Sequence, residues 1–487
     1  MATTLQRLGE QPAIRNAALG GGALALGLAG GVALAAGNPL IPFALLAAIL
    51  PLPWLLTRPQ ANLWLTVAVI LLLPFATLPV KIGLTPTFLE IALLLLTATS
   101  LFAGVRAADG PWRGLARTPL DGLVLLFLGV MGFAFVLGLG RDHDVSIIHN
   151  FIKLLLAVSL FFSAGQVLRT PAALTALLRV LTLAGGIAAT MGLVLWRLPQ
   201  PTAERILRAL SRIGYPTDRI LRFVEDGPGL GQERTIGTSV DPNSFGGLLA
   251  VLFALTLTQA LGRRPCLPRP LLVSILGAEG LALLLTQSRA AWAGAAAAAL
   301  FIGVLRYRRF ALAMVVAGLL VLASGLGGKY LDRFVSGVQL RDQAQLMRVA
   351  EFQNAGTIIA RYPAFGVGFG RAGELDLTTG VSSIYLTLAE RNGLLGLGAF
   401  AVQMGVFFVL LAPWLRRRPL PDAVAPLDAA LLGSAAAVAG ALVVGVADHY
   451  YFNPEQSHLA ALLWLCLALG LAARRLLIAD CGLRIAE

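Results

Sequence analysis

Lysine, cysteine and histidine are all scarce in this chain. Its 487 residues hold lysine only at Lys81, Lys153 and Lys329, with 3 cysteines and 4 histidines. Cys266 falls in a loop expected on the cytoplasmic side, Cys466 in the last apolar run and Cys481 in the tail. No pair faces an oxidising compartment, which excludes a disulfide framework. His143, His149, His449 and His458 show no HxxxH spacing, and no CxxC occurs, so no structural metal is expected. A Walker or Rossmann glycine pattern is also lacking, and no nucleotide cofactor is expected. Charged residues are only 13% of the chain against 57% hydrophobic. With a mean hydropathy of +0.80, that balance excludes a soluble domain. The net charge of +13 is spread in short clusters between apolar runs. It reads as membrane anchoring rather than nucleic-acid binding.

What is present is a series of apolar runs near 20 residues, the length that crosses a bilayer. They fall near 17–37, 39–56, 62–80, 87–105, 120–140, 147–168, 171–196, 243–262, 268–287, 290–306 and 309–328, then 384–413, 427–447 and 457–473. The expected fold is therefore an all-α polytopic membrane protein of about 14 transmembrane helices, one integral domain over 1–487. The first run follows Arg7 and Arg15 and resembles a signal peptide, but its length and the many later spans favour a retained anchor. The Lys/Arg bias of short loops puts Arg7, Arg15, Arg106, Arg113, Arg117, Arg263–Arg264, Arg306, Arg308–Arg309, Arg416–Arg418 and Arg474–Arg475 inside. Both termini are then cytoplasmic, and two long loops, 197–242 and 329–382, lie outside. Arginines kept on that side against the bias call for an anionic ligand.

Both loops have helical pattern. Over Ala203–Gly214, Ile206, Leu207, Leu210 and Ile213 share one face, with Arg205, Arg208 and Arg212 largely off it. That is an interfacial amphipathic helix. A second helix is expected over Asp342–Arg361, closed by Tyr362-Pro363, because proline disfavours helical geometry in the residue before it.

Three stretches carry the chemistry. One is Arg234-Thr-Ile-Gly-Thr-Ser-Val-Asp-Pro-Asn243, leading into a span. Another is Thr286-Gln-Ser-Arg289-Ala-Ala-Trp292. A third runs from Arg348 to Tyr362-Pro363 and Gly366-Val-Gly368, then to Tyr385-Leu386, Glu390 and Gly393-Leu-Leu-Gly396. In order, spacing and side, residues 234–396 resemble the bacterial O-antigen ligase and polymerase family. The resemblance implies a donor glycan on a polyprenyl pyrophosphate, an acceptor glycan or lipid A-core, and a multi-pass protein of the bacterial cytoplasmic membrane. Its active site would face the periplasm or exterior. The ligase branch typically carries a His-Asn pair just before the Tyr-Leu, usually proposed to activate the acceptor. Here Ser382-Ser383 stand there, and serine is no general base near neutral pH without a partner. Asp448-His449 and Glu390 are the nearby alternatives by topology.

The residue chemistry agrees without the family. The anomeric carbon of such a donor is already activated, so the main task is to stabilise departing pyrophosphate, which preorganised guanidinium groups do. No DxD-like motif for Mg²⁺ lies on the outer side. Arg289, Arg348, Ser382, Glu390 and His449 are the catalytic candidates; Arg234, Asn243, Lys153 and Tyr385 are candidates for binding substrate. Each has a plainer reading. Arg289 is also placed as a snorkelling anchor, Arg348 as a solvated surface charge on its helix, Arg234 as an ordinary loop arginine, and Asp241-Pro-Asn243 as a cap. Lys153 sits within a span, where charge usually faces a cavity, with His149 one turn above. Glu279 reads as an ion-pair partner, and Trp292, Tyr450 and Tyr451 as interfacial aromatics. A transporter or flippase of lipid-linked or anionic substrates, or a non-catalytic glycan-binding homologue, stays open beside the transferase.

Overall fold

A computed structural model describes residues 58–78, 85–106, 115–139, 144–216, 231–324, 343–369, 381–416 and 422–486, with the isolated positions 55, 220, 222, 223 and 328. Runs 17–37 and 39–56 lie outside these residues, apart from position 55, as do Cys481's side chain, Lys81 and Lys329. Met1–Ala61 and Asn62–Glu487 separate as two units, and nearly all the described residues belong to the second.

Most of those residues are helical. The helices are α1 (Pro59–Leu72), α2 (Phe88–Arg106), α3 (Asp121–Leu139), α4 (Val145–Val167), α5 (Pro171–Arg197), α6 (Gln200–Ala209), α7 (Pro242–Leu261), α8 (Arg269–Leu285), α9 (Arg289–Leu305), α10 (Arg308–Ala323), α11 (Gln343–Arg361), α12 (Ile384–Leu415), α13 (Ala425–Ala447) and α14 (Ser457–Ala486). Among the described residues there is no strand, only the isolated bridges Thr77–Thr87 and Phe223–Glu233. Seven of the helical segments are long and apolar enough to cross a bilayer, and three shorter apolar ones accompany them. Large apolar side chains such as Leu125, Leu126, Val136, Leu320 and Val409 are exposed. A soluble surface does not tolerate that density of exposed apolar groups; lipid does.

Boundaries follow local chemistry. The run expected to continue to residue 80 stops at Leu72, because Pro74 has no amide hydrogen to continue the helical ladder. Both loop helices form. The first begins at Gln200 and closes as a 3-10 turn at Leu210–Ile213, with Ala203 and Leu207 buried. The second spans Gln343–Arg361.

The most enclosed span is α7, followed equally by α13 and the span that contains α14; α7 and α13 both pack on α9. Small residues bring them against α9: a Cβ on Gly294 would lie 2.7 Å from the Gly440 carbonyl oxygen, and one on Gly246 2.7 Å from Ala291 Cβ. Lipid tails supply no hydrophobic drive between helices, so this close backbone approach supplies the contact instead.

Four arginines at one end of the bundle, Arg269, Arg306, Arg474 and Arg475, donate to carbonyls at or near helix C-termini. Arg306 donates to the Trp414 and Leu415 carbonyls at 2.8 and 3.0 Å and pairs with Asp428 at 2.8 Å. Arg475 donates to the Gly165 and Leu168 carbonyls at 3.1 and 2.9 Å, Arg474 to Leu410 at 3.1 Å, and Arg269 to Gly262 at 3.1 Å. Carbonyls in the last helical turn lack intrahelical donors and carry the negative end of the dipole, so guanidinium groups satisfy both. Arg179 likewise donates to Cys266 at 2.8 Å.

One span is broken. Gly393 has φ +69° inside α12, which frees the carbonyls of Glu390 and Arg391. The turn after Tyr362-Pro363 takes them: Val367 and Gly368 amides donate at 2.9 Å each. In return, the Leu394 amide donates to Pro363 at 2.7 Å and Leu395 to Ala364 at 3.3 Å. A Cβ on Gly393 would collide with the Ala364 carbonyl, and one on Gly366 with that of Glu390. The motif glycines are thus two halves of one backbone clasp, requiring both positive φ and close approach.

Candidate active site

The opposite end of the bundle, away from those caps, gathers the starts of α4, α7, α9, α12 and α14 and the end of α13. Here the chain from Arg234 to Asp241 is pinned to the end of α8. The Thr235 amide donates to Leu285 at 3.0 Å, and Arg234 Nε to the Thr286 carbonyl at 2.8 Å. Arg234 Nη2 then reaches Asn243 Oδ1 at 2.6 Å. Positive φ at Gly237 and Val240 folds the segment back on itself, and Asp241 caps α7 by accepting from the Ser244 amide at 2.6 Å. Ser288 caps α9, after a turn at Gln287 with φ +54°. That places Arg289 at the first helical position. A cation opposes the helix dipole there, an arrangement that an anionic ligand would relieve.

Arg348 projects from α11 to Asp448, with Nη2 3.4 Å from Oδ1. One turn further on, Glu351 accepts the Ser382 amide at 3.0 Å, so α11 is docked at two points. Asp448 ends α13 and is only 3% exposed. Burial pushes its carboxyl up to about 7, against the pull of Arg348, then of Arg234 and Arg289, while Asp241 pushes it further up. Three arginines from three separate segments therefore bear on one buried carboxyl. Asp241, hydrogen-bonded to Tyr450, is also raised by burial, with Arg234 opposing. Burial, and then Arg391 and Arg348, pull the His449 imidazole down to about 4. His449 is therefore neutral near pH 7, and its ring stacks on Tyr450, centroids 5.2 Å apart.

Of the candidates read from the sequence, Arg234, Arg289, Arg348 and Asn243 come together, with His449 at their edge. Ser382 joins through its backbone. Tyr385 donates its hydroxyl to Leu442 at 2.8 Å, across α12 and α13. Glu390 is buried beneath the α12 break, beside Arg391, which lies over the Phe369 ring at 5.7 Å. Lys153 lines a cavity of about 430 Å³ together with Asp241, His449, Tyr450 and Glu455. Glu279, expected to hold a cation, instead accepts from the Thr256 hydroxyl at 3.1 Å. His149 pairs with Glu90 at 2.7 Å. Trp292 donates its indole N–H to the Leu283 carbonyl at 2.9 Å.

Sequence reasoning gave Asp241 only a capping role and named Asp448 only beside His449. An acid directly after a span, next to histidine and two tyrosines, was the available signal. Among the described residues no group of three or more His, Cys, Asp or Glu side chains is placed to hold a metal ion. A second, larger cavity, an apolar groove of about 660 Å³, runs along α5, α6 and α8, with Thr238 among its lining residues.

Residues 271–401 match the family model described as O-antigen ligase. The match takes in Arg289, Arg348, Ser382, Tyr385, Glu390 and both sides of the clasp, and supports a membrane enzyme that processes glycans. No curated protein matches the chain.

Proposed function

We propose that the chain transfers a glycan from a polyprenyl-pyrophosphate carrier to a sugar hydroxyl on an acceptor. The observation that carries the reading is the convergence of Arg234, Arg289 and Arg348 on Asp448. Guanidinium groups held in place before substrate arrives stabilise a departing diphosphate without reorganising, and their planar forks match phosphate oxygens. The acceptor oxygen bonds to the anomeric carbon as the carbon–oxygen bond to the pyrophosphate breaks. The electron pair leaves with the polyprenyl pyrophosphate, and the configuration inverts. Asp448 takes the hydroxyl proton. A base whose pKa lies near the working pH serves best, which favours Asp448, at about 7, over His449, at about 4. The guanidinium groups take the part a divalent cation plays in other pyrophosphate chemistry, so transfer should survive EDTA.

The apolar groove suits the polyprenyl tail, since Thr238 at its head lies four residues from Arg234. Arginine caps and basic short loops at the other end support a periplasmic or exterior site on a cytoplasmic-membrane protein. Ser382-Ser383, in place of His-Asn, favours a polymerase over a ligase. One observation favours a transporter instead: a broken span is a common device of transporters. Here, however, four backbone hydrogen bonds close the break.

Purified protein given a defined polyprenyl-pyrophosphate glycan and candidate acceptors decides among these, with products read by mass spectrometry. Longer lipid-linked chains support a polymerase, and loaded lipid A-core supports a ligase. Tight donor binding without transfer under any condition favours a transporter or a non-catalytic glycan-binding protein. Arg289→Ala should abolish transfer while leaving expression intact, and Arg289→Lys should recover little.

A further inference from the structure

The 430 Å³ cavity is distinct from the arginine cluster but shares its wall. Asp241, His449 and Tyr450 face both. Its further polar lining suits a sugar: hydroxyls of Thr77, Thr87 and Ser457, amides of Asn453 and Gln456, the carboxyl of Glu455, and beside them the ring of Phe75. Carboxylate, amide and hydroxyl groups exchange hydrogen bonds with ring hydroxyls, while an aromatic face takes the apolar side of the ring. The volume lies within the usual range of about 300–1,000 Å³ for small-ligand sites.

Lys153 is the feature that a neutral sugar leaves unexplained. It lies eight residues into α4, about 12 Å along the helix axis at 1.5 Å per residue. His149, one turn nearer the helix start, is matched by Glu90 at 2.7 Å. Glu90 also accepts the Thr87 amide at 2.6 Å, so the acid nearest to Lys153 on α2 is already engaged. Among the described residues Lys153 has neither a hydrogen-bond nor an ion-pair partner. A cation within a span is costly unless a cavity or a counter-charge receives it. Here the cavity receives it; Asp241 and Glu455 also line that cavity, but neither forms an ion pair with Lys153.

Resting on the transferase reading, we propose that this cavity receives the acceptor glycan. Lys153 selects an acceptor whose sugar bears an acidic group, a carboxylate or a phosphate. The attacking hydroxyl then meets the donor across Asp241 and Tyr450, and the arginines stay with the pyrophosphate. A division of this kind keeps two anions apart: the leaving group on planar guanidinium forks, the acceptor's acid on a single ammonium.

The full-length protein in lipid nanodiscs tests this with a polyprenyl-pyrophosphate glycan and two soluble acceptor oligosaccharides. One ends in glucuronate and the other in glucose. Wild type should show an acceptor KM about tenfold lower for the acidic sugar, the scale of one charge-assisted contact. In Lys153→Gln the ratio of the two KM values should collapse toward one, and in Lys153→Arg it should largely return. Donor affinity, measured separately, should stay the same in both variants. A fall in donor affinity with an unmoved KM ratio assigns Lys153 to the pyrophosphate and overturns the proposal. So does a wild type that takes both acceptors equally. Titrating each oligosaccharide directly onto the protein keeps the two readings separate. Preferential, Lys153-dependent binding of the acidic sugar with no transfer refutes the transferase but keeps the site; transfer without that preference does the reverse.

Discussion

Replacing Arg348 by alanine removes two things at once, and they can be read apart by pH. The guanidinium is lost to the pyrophosphate, and losing one such preorganised donor typically costs about 10²–10³ in kcat. It is also the largest force holding the Asp448 carboxyl down, at 3.4 Å. An opposite charge at that range lowers a carboxyl by about 1–3 units, so its removal should raise the acidic limb of the rate by a similar amount. Wild-type kcat/KM for the donor should rise with pH through about 7, because the base works only when ionised. In Arg348→Ala the limb should move toward about 8–10. The deficit at pH 7 then exceeds the deficit at pH 9 by roughly five- to fiftyfold. Arg348→Lys keeps the charge, so its limb should stay near the wild-type position while most of the rate loss remains. Initial rates with a fluorescent lipid-linked glycan across pH 5.5–9.5 supply the test. An equal loss at every pH, with an unmoved limb, refutes Asp448 as the base; no loss at all refutes the arginine site.

Ser382→Ala should be mild, since the bond to Glu351 uses the backbone amide that alanine retains; Asp448→Asn should lose far more activity than His449→Ala in the same assay. Gly393→Ala should lower thermal stability in detergent by several degrees, and Gly366→Ala likewise, because each adds a Cβ against a backbone carbonyl at positive φ; wild-type melting in both would remove the clasp. Cysteines placed at Gly229 and Gly373 should react with an impermeant reagent added outside the cell, and labelling only from the cytoplasmic side would reverse the orientation.

Helix positions were largely legible because length and apolarity alone carry that signal in a membrane. Arg234, Arg289 and Arg348, which the structure brings to bear on Asp448, stood out in the sequence because arginine expected on the side opposite the charge bias needs a reason. What escaped was relational. Tyr385 resembles a site residue in sequence but spends its hydroxyl on Leu442. Glu279 suggested an ion pair, yet Thr256 is its neighbour. Asp448 takes its electrostatic surroundings from cations 100 or more residues away, in three segments with no mutual pattern. The charge bias also assigned a side to Arg306, Arg474 and Arg475 without revealing that they reach carbonyls near the ends of particular helices.

The ion pair between Arg348 and Asp448 joins residues 100 positions apart, and this separation is also an interval of time. At about 5–20 residues per second, a ribosome delivers Asp448 roughly 5–20 s after Arg348. During that interval three arginines stand at the membrane surface without the carboxyl that gathers them. The nascent chain therefore has no finished pocket while it is still being inserted. On the proposed function, chemistry on a carrier lipid would start only once α13 and α14 have been made, so the order of synthesis itself would delay the first turnover.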